Sequence, residues 1–142
     1  MQSKVQEFMN KTPHFISPDS TLRDAATAMQ HHDCGALVVG HPDDTPSGII
    51  TDRDIVVWGL AEGRNPDTAT VREIISGEVI SCSKDETAEQ AADKMSVNDV
   101  RRLIVVNPQN KVIGVLSTVD IIKCVDTDEI NDEVIHHLFH YA

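Results

Sequence analysis

The sequence is written twice. Displaced by 66 residues, so that Val5 lies on Val71, the halves align without a gap as far as Ile55 on Ile121. Fifteen positions are identical, among them Glu7 with Glu73, Ser17 with Ser83, Asp19 with Asp85, Thr21 with Thr87 and Met29 with Met95. Ala25-Ala26 meets Ala91-Ala92, and Asp33, Leu37, Val39 and Pro42 meet Asp99, Leu103, Val105 and Pro108. Gly48, Asp54 and Ile55 meet Gly114, Asp120 and Ile121. A gapless register of this length marks a duplicated unit, so the fold must be one that two similar halves can build.

Each half reads alike. Val5, Phe8 and Met9, and again Val71, Ile74 and Ile75, have the spacing of a short leading helix. An extended stretch follows, near His14–Ile16 and Val79–Cys82. Next comes a helix of clear 3.6 period. Leu22, Ala25, Ala26 and Met29 form its stripe in Thr21–His31, and Ala88, Ala91, Ala92 and Met95 do so in Thr87–Val97. Ala36–Val39 and Leu103–Val106 are apolar, β-branched runs of buried strands. Turns at 41–46 and 107–110 lead to Gly48–Ile50 and Val112–Leu116, the partner strands, and each runs into a final helix. The expected fold is mixed α/β (α+β), with two pseudo-symmetric βαββα repeats, each with a leading short helix. Either repeat alone is small for a core, so the two are expected to pack sheet to sheet. The repeats span 4–60 and 70–125, and 126–142 forms an amphipathic C-terminal tail.

Composition narrows the function. The 142 residues carry 12 Lys and Arg against 23 Asp and Glu, a net charge of -11. Polyphosphate is bound by basic surface and counterion release, so no nucleic acid polymer is expected as partner, and no anionic membrane. No stretch approaches the ~20 apolar residues of a membrane span, and the N-terminus lacks the apolar core of a secretory signal. Cys34, Cys82 and Cys124 are odd in number and widely spaced, as befits reduced thiols in a cytoplasmic protein. No nucleophile–base pair stands in a defined setting, so the chain is not read as an enzyme.

Two seven-residue segments carry the chemistry: Gly48-Ile49-Ile50-Thr51-Asp52-Arg53-Asp54 and Gly114-Val115-Leu116-Ser117-Thr118-Val119-Asp120. Thr51 and Ser117 fall where strand gives way to helix, a setting in which a hydroxyl and free amides suit a phosphate oxygen. Asp54 and Asp120 return to the same helix end, where a carboxylate suits the vicinal hydroxyls of a ribose. The same spacing is also a capping box, with hydroxyl and carboxylate satisfying backbone donors and no ligand needed. Both readings stand on the residues alone.

Together with the Asp19–Met29 helix opening and the Gly35–Val39 strand, these segments resemble a tandem pair of CBS domains, a Bateman module. The resemblance spans roughly residues 4–125, and the stretch Thr51–Val71 is similar to small stand-alone CBS-pair proteins of bacteria and archaea. It implies a regulatory module that senses an adenine nucleotide (AMP, ADP or ATP) or an adenosyl ligand such as S-adenosylmethionine in the cleft between repeats. No cofactor is required, and the signal passes to an unknown protein target in trans. Homodimerisation is implied as well. Asp54 and Asp120 are then expected on ribose and Thr51 and Ser117 near phosphate. Ile16, Ala36 and Ile50 are expected around the base in one half, and Cys82, Arg102 and Leu116 in the other. Positive charge for an anionic ligand comes from Arg53, Arg101 and Arg102. The repeat mates of Arg101 and Arg102 are Gly35 and Ala36, so the two sites are expected to be unequal.

Two other readings remain. One is a ligand-free dimeric interaction protein whose capping boxes are structural and whose oily tail stripe (Ile130, Val134, Ile135, Leu138 and Phe139) docks a partner. The other is a metal- or redox-responsive protein using its cysteines and the i, i+4 pair His136 and His140. His31 and His32 fit the last turn of a helix, where cationic rings meet the negative end of the dipole.

Overall fold

The computed structural model describes residues 3–75, 78–124 and 132–141, with side chains through His137 in the last segment. In chain order the elements are α1 (Val5–Phe8), β1 (Phe15–Ile16), α2 (Leu22–His32), β2 (Ala36–Val39), β3 (Gly48–Thr51) and α3 (Asp52–Asp54). A π-helical stretch (Ile55–Leu60) continues α3, and α4 (Val71–Ile74) follows. The second half gives β4 (Ser81–Ser83), α5 (Ala88–Asn98), β5 (Arg102–Val106), β6 (Val112–Ser117), α6 (Thr118–Cys124) and α7 (Asp132–Tyr141). No helix among the described residues is long and apolar enough to cross a membrane.

The long helices start and stop as their sequences direct. Thr21 Oγ1 accepts from the Asp24 N–H at 3.1 Å, while Asp24 Oδ2 accepts from the Thr21 N–H at 3.0 Å. Thr87 and Gln90 repeat this reciprocal cap at the start of α5. Both helices end on an aspartate in the left-handed region, Asp33 and Asp99 at φ 52°. Asp tolerates that conformation because its short polar side chain bonds locally.

Each sheet has three strands, ordered β1-β2-β3 and β4-β5-β6, with the first pair parallel and the second antiparallel. One face of each sheet meets its helix. Leu37, Val39 and Ile50 pack with Leu22, Ala25 and Met29, and Leu103, Val105 and Leu116 with Ala91, Ala92 and Met95. Each of the Leu, Val, Ile and Met side chains contributes about 1.5–3 kcal/mol on burial, and the alanines less.

The compact units cut across the repeats. One comprises Pro13–Val79, the other Met1–Thr12 with Ile80–Ala142. Val5 of α1 is fully buried in the core around Cys82 and Met95, and its N–H donates to Glu86 O at 2.8 Å. Val71 and Ile74 of α4 complete the core around Leu22, and the Val71 N–H donates to Ser20 O at 2.9 Å. The leading helix of each repeat therefore fills the core built by the other repeat's strands. Periodicity identifies such a helix but carries no information about which apolar face receives it.

The final helices also differ. In the second unit α6 is regular, whereas in the first the chain widens into π winding at Ile55. A Cβ at Gly59 would come within 2.8 Å of Leu22 Cδ1, so the absent side chain lets this stretch lie against α2. Val56, Trp58 and Leu60 face outward.

Candidate functional site

Thr51 and Ser117 each end a strand and begin a helix. Thr51 Oγ1 accepts from the Asp54 N–H at 3.1 Å, and Asp54 Oδ2 accepts from the Thr51 N–H at 2.9 Å. Ser117 and Asp120 make the same two bonds at 3.2 and 2.9 Å. The following residue is anchored alike in both units: the Asp52 N–H donates to Gly35 O and the Thr118 N–H to Arg101 O, each at 3.0 Å. The capping reading is thus realised in both halves. It does not exhaust the carboxylates. Each uses Oδ2 for its cap, and Oδ1 of Asp54 and of Asp120 makes no hydrogen bond among the described residues. All four side chains are half-buried, so a polar ligand can reach them while part of their hydration is already lost.

Strand pairing decides what stands beside each hydroxyl. In the first unit Ala36 is the partner of Thr51; in the second, Arg102 is the partner of Ser117. Directly opposed residues of an antiparallel pair project to the same face about 4.5–5.5 Å apart. The half-buried Arg102 guanidinium is in no ion pair among the described residues. Arg101 is half-buried too and holds the helix start through its carbonyl, whereas Arg53 is exposed. Asp99 lies 3.7 Å from the His137 ring.

The apolar contributors divide. Ala36 shares the face of Thr51. The side chains of Ile50, Cys82 and Leu116 are buried in the helix-facing cores, and the half-buried Ile16 packs against its core. Alternation is the reason, since neighbouring strand residues point to opposite faces. Two residues along the ladder from Thr51 and Ser117, the same face carries Phe15, Val38 and Ile49 in one unit and Ser81, Ile104 and Val115 in the other. Strict alternation counted back from Thr51 and Ser117 is the signal that identifies Ile49 and Val115.

Burial, reinforced by Glu86, pushes the Cys82 thiol up to about 12, so it is a packed neutral thiol. His31 and His32 do end α2, and the His14 ring stacks on His32 with centroids 3.7 Å apart. His14 lies far back in the sequence, and nothing in its surroundings there signalled the stack. Among the described residues no group of three or more His, Cys, Asp or Glu is placed to hold a metal ion. The His140 ring and the tail residues Ile130, Leu138 and Phe139 lie outside the described side chains.

The family described as CBS domain matches residues 5–60 and 71–127. An uncharacterized protein of Methanopyrus kandleri, MK0525, is 36% identical over 107 residues, 75% of this chain, which spans 55% of that protein. Hypoxic response protein 1 of Mycobacterium tuberculosis is 32% identical over 84% of this chain and 82% of its own length. A hexameric CBS-CP12 protein from bloom-forming cyanobacteria superposes with a TM-score of 0.79 at 27% identity, covering 86% of this chain and 67% of that one.

Proposed function

Because the chain belongs to the CBS-domain family, as a tandem pair, we propose that it is a regulatory module sensing an adenine nucleotide or adenosyl ligand. One observation carries the reading: Arg102 stands opposite Ser117, beside an Asp120 carboxylate with one oxygen uncommitted. An Arg, a hydroxyl and a carboxylate acceptor on one sheet edge match a phosphorylated ribose. The guanidinium takes phosphate oxygens through charge-assisted bonds, and Asp120 Oδ1 accepts from the sugar hydroxyls. Backbone atoms of β4 and β6, with the outward side chains of the sheet, surround the base.

At the first edge Thr51 and Asp54 repeat the hydroxyl and carboxylate, but Ala36 replaces the cation. That site favours a ligand with less negative charge, an adenosyl group or a monophosphate. Binding biases the module between arrangements by differential affinity, and a partner protein reads the result in trans. Self-association into a homodimer fits this role, and the hexameric state of the cyanobacterial relative supports association between copies. The module acts without chemistry of its own and in the cytoplasm.

A ligand-free scaffold is the second reading, and the completed capping boxes favour it, since they satisfy the helix starts with nothing bound. Thermal unfolding with AMP, ADP, ATP, NADH and S-adenosylmethionine separates the two. A sensor gains stability with the logarithm of ligand concentration once that exceeds Kd. No gain from any of them at millimolar concentration leaves the scaffold.

A further inference from the structure

His137 is a buried imidazole on α7, 7% exposed, in a helix that contributes Val134 to the core of its unit. Its Nε2 lies 3.0 Å from Val100 O, and a carbonyl only accepts, so Nε2 carries the proton. Its Nδ1 lies 3.7 Å from Asp99 Oδ1. Both contacts fall on the turn that leaves α5 and enters β5. Asp99 ends the helix in the left-handed region, the Val100 N–H returns to Met95 O at 3.0 Å, and Arg101 O receives the Thr118 N–H. Two residues past Val100 stands Arg102, the partner of Ser117. The segment that aims the guanidinium is therefore tied on one side to the start of α6 and on the other to α7.

We propose that His137 is a positioning residue through which α7 fixes the Asp99–Arg102 turn, linking the docking of the C-terminal helix to anion binding opposite Ser117. This rests on the phosphate-binding reading of that edge. Linkage is reciprocal: whatever a docked α7 adds to ligand affinity, the ligand returns to the docking of α7. A partner that lifts α7 away lowers affinity, and a bound anion holds the helix down. The output of the sensor then leaves through its own C-terminal helix.

His137→Phe keeps ring volume and removes the donor, while His137→Gln restores an amide N–H near the Nε2 position. The test uses the full chain, ATP as the probe, amide hydrogen exchange of the 99–102 segment and of α7, and calorimetric titration. His137→Phe is expected to speed exchange at 99–102 at least tenfold and weaken ATP binding about fivefold or more, with His137→Gln within about twofold of wild type. In the wild type, saturating ATP is expected to slow exchange in α7. A lower melting temperature in His137→Phe with unchanged exchange at 99–102 overturns the proposal. So does unchanged exchange in α7 of the wild type at saturating ATP, and this arm decides if His137→Phe does not fold. If the wild type binds no ATP, the linkage to a polyphosphate opposite Ser117 fails, while exchange in His137→Phe still decides whether His137 holds the turn.

Discussion

Arg102 and Ser117 are direct partners across the antiparallel β5–β6 ladder, and the corresponding rung of β2–β3 pairs Ala36 with Thr51. The duplication thus preserved the hydroxyl–carboxylate edge twice and gave only one copy a cation beside it. Arg102→Met is expected to weaken ATP roughly tenfold or more, the loss of a charge-assisted contact worth about 1.5–3 kcal/mol. Adenosine, with no phosphate, loses little. Calorimetric titration with both ligands checks this, and equal losses for the two contradict it.

The caps have a cost of their own. Thr51→Ala and Ser117→Ala each remove the acceptor for the N–H three residues on. Each is expected to lower unfolding free energy by about 0.5–2 kcal/mol. Urea denaturation measures it through the shift in midpoint.

How much of this was legible in the sequence depends on what each signal encodes. The repeat, the helix periods and the caps at Thr21 and Thr87 are local, and the chain folds as they direct. The Thr51–Asp54 and Ser117–Asp120 segments were readable as capping boxes, and the structure builds both on the Oδ2 oxygens, with Oδ1 of each carboxylate outside the cap. The destination of α1 was not readable. Val5 and Val71 are identical in the alignment, yet each fills the core whose strands come from the opposite repeat. The facing of Ile50 and Leu116 toward the helices follows from a one-residue phase that their apolar runs do not display by themselves and that only counting back from Thr51 and Ser117 supplies.

The N-terminal strap makes the exchanged helix testable. A Cβ on Gly114 would stand 2.8 Å from Asn10 O and 2.6 Å from Met9 Sδ. Asn10 is held there by paired bonds with Val115, at 3.0 and 3.1 Å. Gly114→Ala must push backbone aside, so a loss of about 1–3 kcal/mol is expected, with faster exchange in residues 5–10. An unchanged denaturation midpoint contradicts the placement of α1.

Acid should loosen the first unit through His32. Partial desolvation, then repulsion from His14 and His31, holds His32 below the ordinary histidine range. The unfolded chain then takes up a proton that the folded chain resists. Stability is fully present above about pH 6.5 and declines as pH falls through that value toward the lower folded-state pKa. The melting temperature is expected to drop between about pH 7.5 and 5.5, and His32→Gln to flatten that slope. An identical slope in the variant removes His32 as the cause.

The proposed sugar-binding role of Asp120 is tested most directly by Asp120→Asn, whose amide oxygen can still accept the Ser117 N–H and preserve the cap. ATP is titrated calorimetrically into wild type and variant, with unfolding of both followed without ligand. The expected result is binding in the wild type, at least tenfold weaker binding in the variant, and ligand-free melting temperatures that agree within about 2 °C. Equal ATP affinity in the two proteins contradicts it.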